Sequence, residues 1–196
     1  MFLLVPLGNP GTAYTATRHN LGRLMLQRWM DRHCPNPALV HSFQTGALYR
    51  LKHPFLALVP GTYMNLSGQV CAEAAAAGFE PSRMILLHDD KDLPLGEGRF
   101  RLGGSDGGHN GLRSVFSHLG GPDIMRLRLG IGPFQRPLVD FVLGEWTDPE
   151  WERIDLLDAP FARFMELLAQ AADLADLAGR VNAARFWQPP ETGNPA

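Results

Sequence analysis

The sequence is poor in cysteine and has no apolar run long enough to cross a membrane. Its 196 residues include only Cys34 and Cys71, whereas disulfide-stabilised domains are small and dense in cysteine. Neither cysteine has a histidine or cysteine nearby at metal-binding spacing, so we predict two reduced, partly buried thiols. A transmembrane helix needs about 20 apolar residues, and the N-terminus lacks the basic and apolar regions of a signal peptide. A soluble, cytoplasmic protein without membrane contact is expected.

The sequence also lacks the overall positive charge that is typical of nucleic-acid-binding proteins. The formal net charge is −2 and the pI is about 6.4. The charge is unevenly distributed, however. Residues 93–139 hold 6 Lys/Arg against 3 Asp/Glu, and residues 140–196 hold 4 against 11. The acidic excess therefore lies in the C-terminal quarter, which leaves room for a basic face in the middle of the chain.

Strand-like and helix-like patterns alternate along the chain. Apolar or alternating runs predict strands near residues 2–7, 46–52, 55–59, 84–88, 99–102 and 127–131. Helical spacing predicts helices near residues 19–32, 70–77, 112–119, 138–144, 159–178 and 181–187. Several strands are apolar throughout, as in sheets covered on both faces. We predict a single α/β domain over residues 1–187, with a twisted, mixed, mostly parallel sheet between helices, and a disordered tail over residues 188–196.

Four segments carry polar side chains to places where strands are expected to end. The carboxyl ends of strands in open α/β sheets are where ligands collect. The residues concerned are Asn9 and His19, Tyr63 and Asn65, His88 and Asp89, and His109 and Asn110. A neutral imidazole can take a proton from water near physiological pH, and a carboxylate on its other nitrogen fixes the tautomer. His19 and Asp89 are therefore candidates for a base and its partner, and the asparagines for oxyanion donors. From spacing alone, His19 could equally be a helix-start histidine that bonds to local backbone.

Two other interpretations use the same region. His88, Asp89, Asp90, Asp92 and His109 could supply metal ligands, but their spacing fits neither an EF-hand loop nor a zincin helix. The glycine-rich segment at residues 103–108 lacks the Gly-Lys-Ser/Thr of a phosphate-binding P-loop. Arg99 and Arg101, two residues apart on one strand face, could bind a phosphate together or belong to a solvated strand edge.

Several motifs together resemble the bacterial peptidyl-tRNA hydrolases. The first is Gly8-Asn9-Pro10-Gly11 with Tyr14 and Thr17-Arg18-His19-Asn20. The others are Tyr63-Met64-Asn65-Leu66-Ser67-Gly68, His88-Asp89-Asp90-Lys91-Asp92-Leu93-Pro94, Gly107-Gly108-His109-Asn110-Gly111-Leu112, Arg126-Leu127-Arg128-Leu129-Gly130-Ile131-Gly132 and Phe141-Val142-Leu143-Gly144. They occur in the family's order from residue 4 to about residue 145. Over the C-terminal quarter, the chain matches the family only in its helical character.

The resemblance implies a monomeric enzyme, with no metal or other cofactor, that hydrolyses the ester of peptidyl-tRNA and recycles tRNA from stalled translation. It implies that His19 is the general base and Asp89 its partner. The further roles it implies are peptide and ester binding by Asn9 and Asn65, and water and tRNA-end placement by Asn110. It also implies shaping of the cleft by Tyr14 and His109, substrate binding by Tyr63, and binding of the tRNA 5′ phosphate by Arg99 and Arg101. No serine lies in a Gly-x-Ser-x-Gly elbow, which favours direct attack by water.

The chain departs from the family in charge. Family members are usually basic, and a lysine-containing loop is expected after Gly132, where Pro133-Phe134-Gln135-Arg136-Pro137 stands. Arg126, Arg128 and Arg136 are candidates to compensate, and tRNA binding is expected to be weaker or more sensitive to salt. Two rival functions are an RNA-binding relative without catalysis and a peptidase or amidase. The intact set of Asn9, His19, Asn65, Asp89 and Asn110 argues against the first rival, and the two arginines against the second.

Overall fold

The computed structural model describes residues 1–188, which form seven strands and six α-helices. The strands are β1 (Phe2–Pro6), β2 (Ala38–Ser42), β3 (Gly46–Arg50), β4 (Phe55–Pro60), β5 (Met84–Pro94), β6 (Gly98–Leu102) and β7 (Met125–Gly132). The α-helices are α1 (Leu21–His33), α2 (Gly68–Ala76), α3 (Asn110–Leu119), α4 (Leu138–Leu143), α5 (Asp148–Gln170) and α6 (Leu174–Val181). Short 3-10 turns lie at Thr12–Tyr14, Arg18–Asn20, Met64–Leu66 and Pro81–Arg83.

All seven strands belong to one sheet in the order β2-β3-β4-β1-β5-β7-β6. The pairs β4–β1, β1–β5 and β5–β7 are parallel. The pairs β2–β3, β3–β4 and β6–β7 are antiparallel. The prediction of a single α/β domain with a mixed sheet is confirmed, and the parallel pairing that was predicted for most of the sheet is found at its centre.

Alternate residues of each central strand enter two separate cores, one on each face of the sheet. In β5, Ile85 and Leu87 pack with the core that contains α1, α5 and α6. Met84 and Leu86 pack with the core that contains α2 and α3. Because both faces are covered, β1 and β4 are apolar throughout, and β5 is apolar from Met84 to Leu87. Helices on both faces were predicted from that pattern, and the prediction is confirmed.

The helices that differ most from the prediction lie in the C-terminal part of the chain. The helix predicted at residues 159–178 is wrong in its bounds. It begins at Asp148, where Thr147 and Glu150 form a capping box, and ends at Gln170. A second helix then starts behind Asp173, whose side chain accepts hydrogen bonds from Ala175 N and Asp176 N. The helix predicted at residues 181–187 is absent: α6 ends at Val181 and turns follow it.

Two strands also differ from their predicted extent. β2 was not predicted, because all five of its residues are exposed at the edge of the sheet and lack a buried face. β5 runs to Pro94, beyond the predicted end at residue 88, because Asp89 and Asp90 continue the pairing with β7. The acidic residues therefore extend the strand and do not form a loop behind it.

Cys34 and Cys71 are free thiols, as predicted. Cys34 is partly buried, also as predicted, whereas Cys71 is fully buried. Among residues 1–188, no helix has the length and apolarity that crossing a membrane requires. Apart from Gln188, the predicted tail lies outside the described residues.

Candidate active site

The candidate site lies where β1 ends, beside the middle of the neighbouring strand β5. The two strands run parallel, and the register continues where Leu7 N donates to Leu87 O. Asp89 lies within β5, two residues after Leu87. The chain that leaves β1 returns in the Arg18–Asn20 turn, which carries His19 to the same edge. His19 and Asp89 are 70 residues apart in sequence and are brought together by this strand pairing.

His19 and Asp89 form a buried hydrogen-bonded pair. His19 Nδ1 lies 2.9 Å from Asp89 Oδ1, and the two residues are 8% and 3% exposed. Burial by itself lowers the pKa of His19, but the charge and hydrogen bond of Asp89 outweigh it, so the pKa rises above the ordinary 6.5. Burial raises the pKa of Asp89, but the charges and hydrogen bonds of His19 and His109 outweigh this effect and bring the pKa well below its usual range. Asp89 is therefore a carboxylate, and His19 Nδ1 carries the hydrogen between them, which leaves His19 Nε2 as a base.

His109 is a second donor to the same carboxylate oxygen. Its Nε2 lies 3.0 Å from Asp89 Oδ1. Its Nδ1 caps α3 by accepting from Gly111 N at 3.1 Å and from Leu112 N at 3.2 Å. An acceptor at Nδ1 requires the hydrogen of the neutral ring to be on Nε2, so His109 donates to Asp89. The sequence placed His109 at the cleft but did not indicate this contact.

The turn before His109 depends on glycine. Gly107 and Gly108 have φ values of +58° and +82°, a region that residues with a Cβ rarely adopt. Asp106 closes the turn, because its Oδ1 accepts from Gly108 N and its carbonyl accepts from His109 N. The glycine-rich segment therefore directs a histidine at Asp89.

Among the described residues, one group has ligand atoms close enough together to hold a metal ion. It consists of His19, Asp89 and His109, whose ligand atoms lie within 4.8 Å of one another. This group differs from the metal set considered from sequence, because it includes His19 and omits Asp90 and Asp92. His109 Nε2 would have to lose its hydrogen to bind a metal, and the neutral ring would then carry that hydrogen on Nδ1, which could no longer accept from Gly111 N and Leu112 N to cap α3. The hydrogen-bond pattern favours the metal-free arrangement.

Asn9 is fixed beside this group by Asn20, whose role the sequence analysis missed. Asn20 Oδ1 accepts from Asn9 N, and Asn20 Nδ2 donates to Asn9 O, at 2.8 and 2.9 Å. Asn9 Oδ1 in turn accepts from Met64 N at 2.8 Å. Since that oxygen is engaged, Nδ2 is the group that Asn9 can present as a donor. The only signal for Asn20 was its place directly after His19.

Of the remaining predicted binding residues, Asn110 lines the cleft described below, whereas Tyr14, Tyr63 and Asn65 are not among the residues that line it. Tyr14 and Tyr63 meet edge to face with ring centroids 6.1 Å apart. Asn65 is exposed on the Met64–Leu66 turn, next to the residue that anchors Asn9. Asn110 is the exposed first residue of α3, directly after His109.

A cleft of about 170 Å³ extends from His19 over the polar face of β6 and β7. Its floor and walls include His19, Asp89, His109, Asn110, Arg101, Arg126 and Arg128. Leu138, Val139 and Val142 of α4 form its apolar side. The turn that carries His19 is attached to this side, since Arg18 N donates to Gly144 O and the Arg18 guanidinium binds both oxygens of Glu150 at 2.8 and 2.9 Å.

The arginines of β6 and β7 are concentrated on one sheet face. Arg101 is opposite Arg126, and Arg99 is opposite Arg128. Arg126 is 3% exposed, and burial together with the neighbouring Arg101 and Arg128 lowers its pKa to about 10. Arg128 Nε bonds to Asp90 Oδ2 at 2.6 Å. Arg99 is not among the residues that line the cleft and pairs with Glu97 at 3.3 Å.

Comparison with known proteins finds one family over almost the whole chain. A sequence profile described as "Peptidyl-tRNA hydrolase" matches residues 3–188. The peptidyl-tRNA hydrolase of Kosmotoga olearia is 36% identical over 201 aligned positions, covering 93% of this chain and 98% of the relative. That of Pseudomonas fluorescens is 42% identical over 161 positions, covering 78% and 82%.

A crystal structure agrees with the sequence matches. The peptidyl-tRNA hydrolase of Acinetobacter baumannii is 33% identical and superposes with a TM-score of 0.81, over 93% of this chain and 95% of that one. The similarity therefore includes the C-terminal helices, for which the sequence motifs gave little evidence of a relationship.

Proposed function

The chain belongs to the peptidyl-tRNA hydrolase family, and we propose that it cleaves the peptidyl-tRNA ester with a water molecule activated by His19. It is a hydrolase that acts on ester bonds. The observation that carries the mechanism is the 2.9 Å contact between His19 Nδ1 and Asp89 inside the cleft. This contact leaves His19 Nε2 without a hydrogen, as a general base requires.

The reaction proceeds in two proton transfers. As water attacks the ester carbonyl carbon, one of its protons moves to His19 Nε2 and the carbonyl oxygen becomes an oxyanion. The tetrahedral intermediate then collapses, and the bond to the ribose oxygen of the tRNA breaks. The proton on His19 goes to that oxygen, which restores the neutral base. Asp89 stabilises the imidazolium between the two steps, and His109 helps to keep Asp89 ionised and oriented.

The asparagines supply amide hydrogen bonds around the reacting ester. We assign the Nδ2 donor of Asn9 to the ester carbonyl or the oxyanion, because Asn20 holds the Asn9 backbone and Met64 N fixes the Asn9 side-chain oxygen. Asn65 binds the peptide portion, and Asn110 places the water and the tRNA end. Tyr14, Tyr63 and His109 form the walls around the peptide.

The arginine face binds a phosphate of the tRNA. Arg101 lines the cleft beside the buried Arg126, and the two guanidinium groups pack against Gly104. Burial is the main cause of the low pKa of Arg126, and a phosphate would relieve the repulsion from Arg101 and Arg128 that lowers it further. Arg99 takes a lesser part in this binding, because Glu97 already partners it. Within the described part of the chain, the acidic C-terminal quarter places no carboxylate among the residues that line the cleft.

The cellular role follows from the same assignment. We propose that the enzyme acts as a monomer in the cytoplasm and returns tRNA from stalled translation to use. No cofactor enters the mechanism, since a peptidyl-tRNA ester is activated and one base is sufficient to direct water at it.

The test is release of tRNA from an N-acetyl-aminoacyl-tRNA in the presence of EDTA. We expect release by the wild type, and a fall in kcat of about 10²–10⁴ for His19→Ala, the range of general base catalysis. His41→Ala, on the exposed strand β2, is the matched control and should keep full activity. Loss of wild-type activity in EDTA would show a metal requirement. Binding of the tRNA without release by any variant would favour the RNA-binding alternative, and full activity of His19→Ala would contradict the role of His19.

A further inference from the structure

His88 contacts the residue that follows it in an uncommon way. Its Nδ1 lies 2.8 Å from the backbone oxygen of Asp89, and the side chain is buried at 2% exposure. A carbonyl oxygen can only accept, so Nδ1 must carry the hydrogen. The hydrogen bond spans a single residue and therefore fixes the peptide group of Asp89 relative to the His88 ring.

The other ring nitrogen of His88 is left as a bare acceptor. Nε2 is buried and has no hydrogen-bond partner among the described residues. The opposite neutral tautomer is disfavoured, because it would bury an unpaired N–H and turn the lone pair of Nδ1 toward the carbonyl oxygen. Buried polar atoms are rarely left unpaired, so an unpaired nitrogen beside the reacting groups needs a reason.

The groups that face His88 keep it neutral. The ring meets that of His109 at 5.1 Å with an interplanar angle of 77°. Burial is the main cause that brings the pKa of His88 well below its ordinary value, and His109 and Arg126 lower it further against the opposing effect of Asp89. A neutral His88 does not compete with His19 and His109 for the charge of Asp89.

From this geometry we propose that His88 is a positioning residue, whose Nδ1–H holds the Asp89 peptide so that a single carboxylate oxygen reaches both His19 and His109. The inference rests on the proposed function, since it concerns the orientation of the same base. Both histidines bond to Asp89 Oδ1, at 2.9 and 3.0 Å. A rotation of the Asp89 peptide would therefore move that oxygen away from at least one of them.

Two substitutions distinguish the effect of the Nδ1–H donor from the effect of the volume that the His88 ring fills. In His88→Asn, the amide nitrogen lies two bonds from Cβ, as Nδ1 does in histidine, and it can donate to the Asp89 carbonyl. His88→Leu fills similar space without a donor. We expect His88→Asn to keep most of kcat, and His88→Leu to lose about 10- to 100-fold in kcat, as small misplacements of catalytic groups do, with little change in KM.

The pH profile distinguishes positioning from a purely structural role. If Asp89 is held less well, it raises the pKa of His19 less, and the acidic limb of kcat moves to lower pH in His88→Leu but not in His88→Asn. A variant that merely folds less completely would lose amplitude without moving this limb. Identical kcat values and limbs for the two variants would overturn the proposal.

A measurement on the wild type covers the case in which His88→Leu fails to fold. The ¹⁵N and ¹H NMR couplings of the His88 ring report which nitrogen carries the hydrogen, and the expected result is Nδ1–H with a bare Nε2. A hydrogen on Nε2 would overturn the proposal. Wild type and His19→Ala belong in the same hydrolysis assay, because full activity of His19→Ala would refute the proposed function while leaving the tautomer result unaffected.

Discussion

One oxygen atom, Asp89 Oδ1, accepts from two imidazole rings. Each ring donates because its other nitrogen is used differently. His109 Nδ1 caps a helix, and His19 Nε2 faces the cleft as the proposed base. The arrangement therefore selects one tautomer at each histidine. A carboxylate is required at this position, because an amide carries no charge to stabilise the imidazolium of His19 and can turn its NH2 group toward the two rings.

Asp89→Asn tests the charge at nearly constant shape. Without the carboxylate, burial is the main influence left on the pKa of His19, and it lowers that pKa. A general base must be neutral, so activity rises with pH through its pKa, and the acidic limb should move to lower pH in the variant. We expect kcat to fall by about 10²–10⁴ because the tautomer of His19 is no longer fixed. The check is kcat/KM between about pH 5 and 9; an unmoved limb would mean that Asp89 does not set the pKa of His19.

At this scale the sequence predicted which residue types meet, but not all of their contacts. The pair of His19 with Asp89 followed from base chemistry and from the motifs. The donation by His109 and the clamp of Asn20 on Asn9 did not, because each depends on where a side chain points after the turns have formed. Asn20 shows the limit plainly: nothing in its neighbours distinguishes a helix-start asparagine from one that bonds 11 residues away.

Helix α3 depends on His109 for its N-cap as well as for the contact with Asp89. The two roles can be separated, since asparagine is a good N-cap but is too short to reproduce the His109 Nε2 contact. His109→Asn should keep the free energy of unfolding and lose activity, by about 10- to 100-fold if Asp89 is misplaced. His109→Ala should lose similar activity and also about 1 kcal/mol of stability.

Denaturant unfolding and single-turnover hydrolysis measure the two effects independently. Full activity in His109→Asn would show that the Asp89 contact is dispensable. An equal loss of stability in both variants would contradict the capping role.

Helix α1 approaches β5 at a glycine. A Cβ on Gly22 would lie 2.3 Å from Leu87 O, which is backbone and cannot move aside as a side chain could. We expect Gly22→Ala to lower the free energy of unfolding by about 1–3 kcal/mol. It should also lower kcat, because α1 begins two residues after His19 and would shift relative to Asp89. The matched control is Gly179→Ala in α6, where a Cβ meets nothing within 4 Å, and which should gain about 0.5–1 kcal/mol.

Chemical unfolding and kcat measured on both glycine variants decide this prediction. Wild-type stability in Gly22→Ala would contradict it, since the helix would then have moved away without cost.

The elements were predicted where periodicity and burial agree. Apolar strands such as β1 and β4, and the amphipathic helix α1, were found close to their observed bounds. The C-terminal helices were not, because their bounds depend on capping by Thr147, Glu150 and Asp173 more than on the apolar pattern. Strand β2 has no buried face, so hydrogen bonds to β3 alone define it.

Across the whole molecule, the low net charge conceals a separation of charge. Carboxylates of α5 are partly used internally, since Asp155 and Asp158 pair with arginines of α1. The arginines of β6 and β7 remain on the face that adjoins the cleft. A net charge of −2 is thus compatible with a nucleic-acid substrate, because binding responds to the local field of the face that the RNA meets.

This separation predicts a salt-dependent affinity that differs between two neighbouring arginines. Each phosphate contact contributes a slope of about −0.7 to −0.9 in log K against log salt concentration. Arg101→Gln should weaken tRNA binding and make the slope shallower by about 1. Arg99→Gln should change it less, because Arg99 already pairs with Glu97 and does not line the cleft. The measurement is the Kd of an N-acetyl-aminoacyl-tRNA for each variant in an inactive His19→Ala background, from about 50 to 200 mM salt. Equal effects of the two substitutions would mean that both arginines contact phosphate, and a flat profile in the parent would show that the interface does not depend on phosphate contacts.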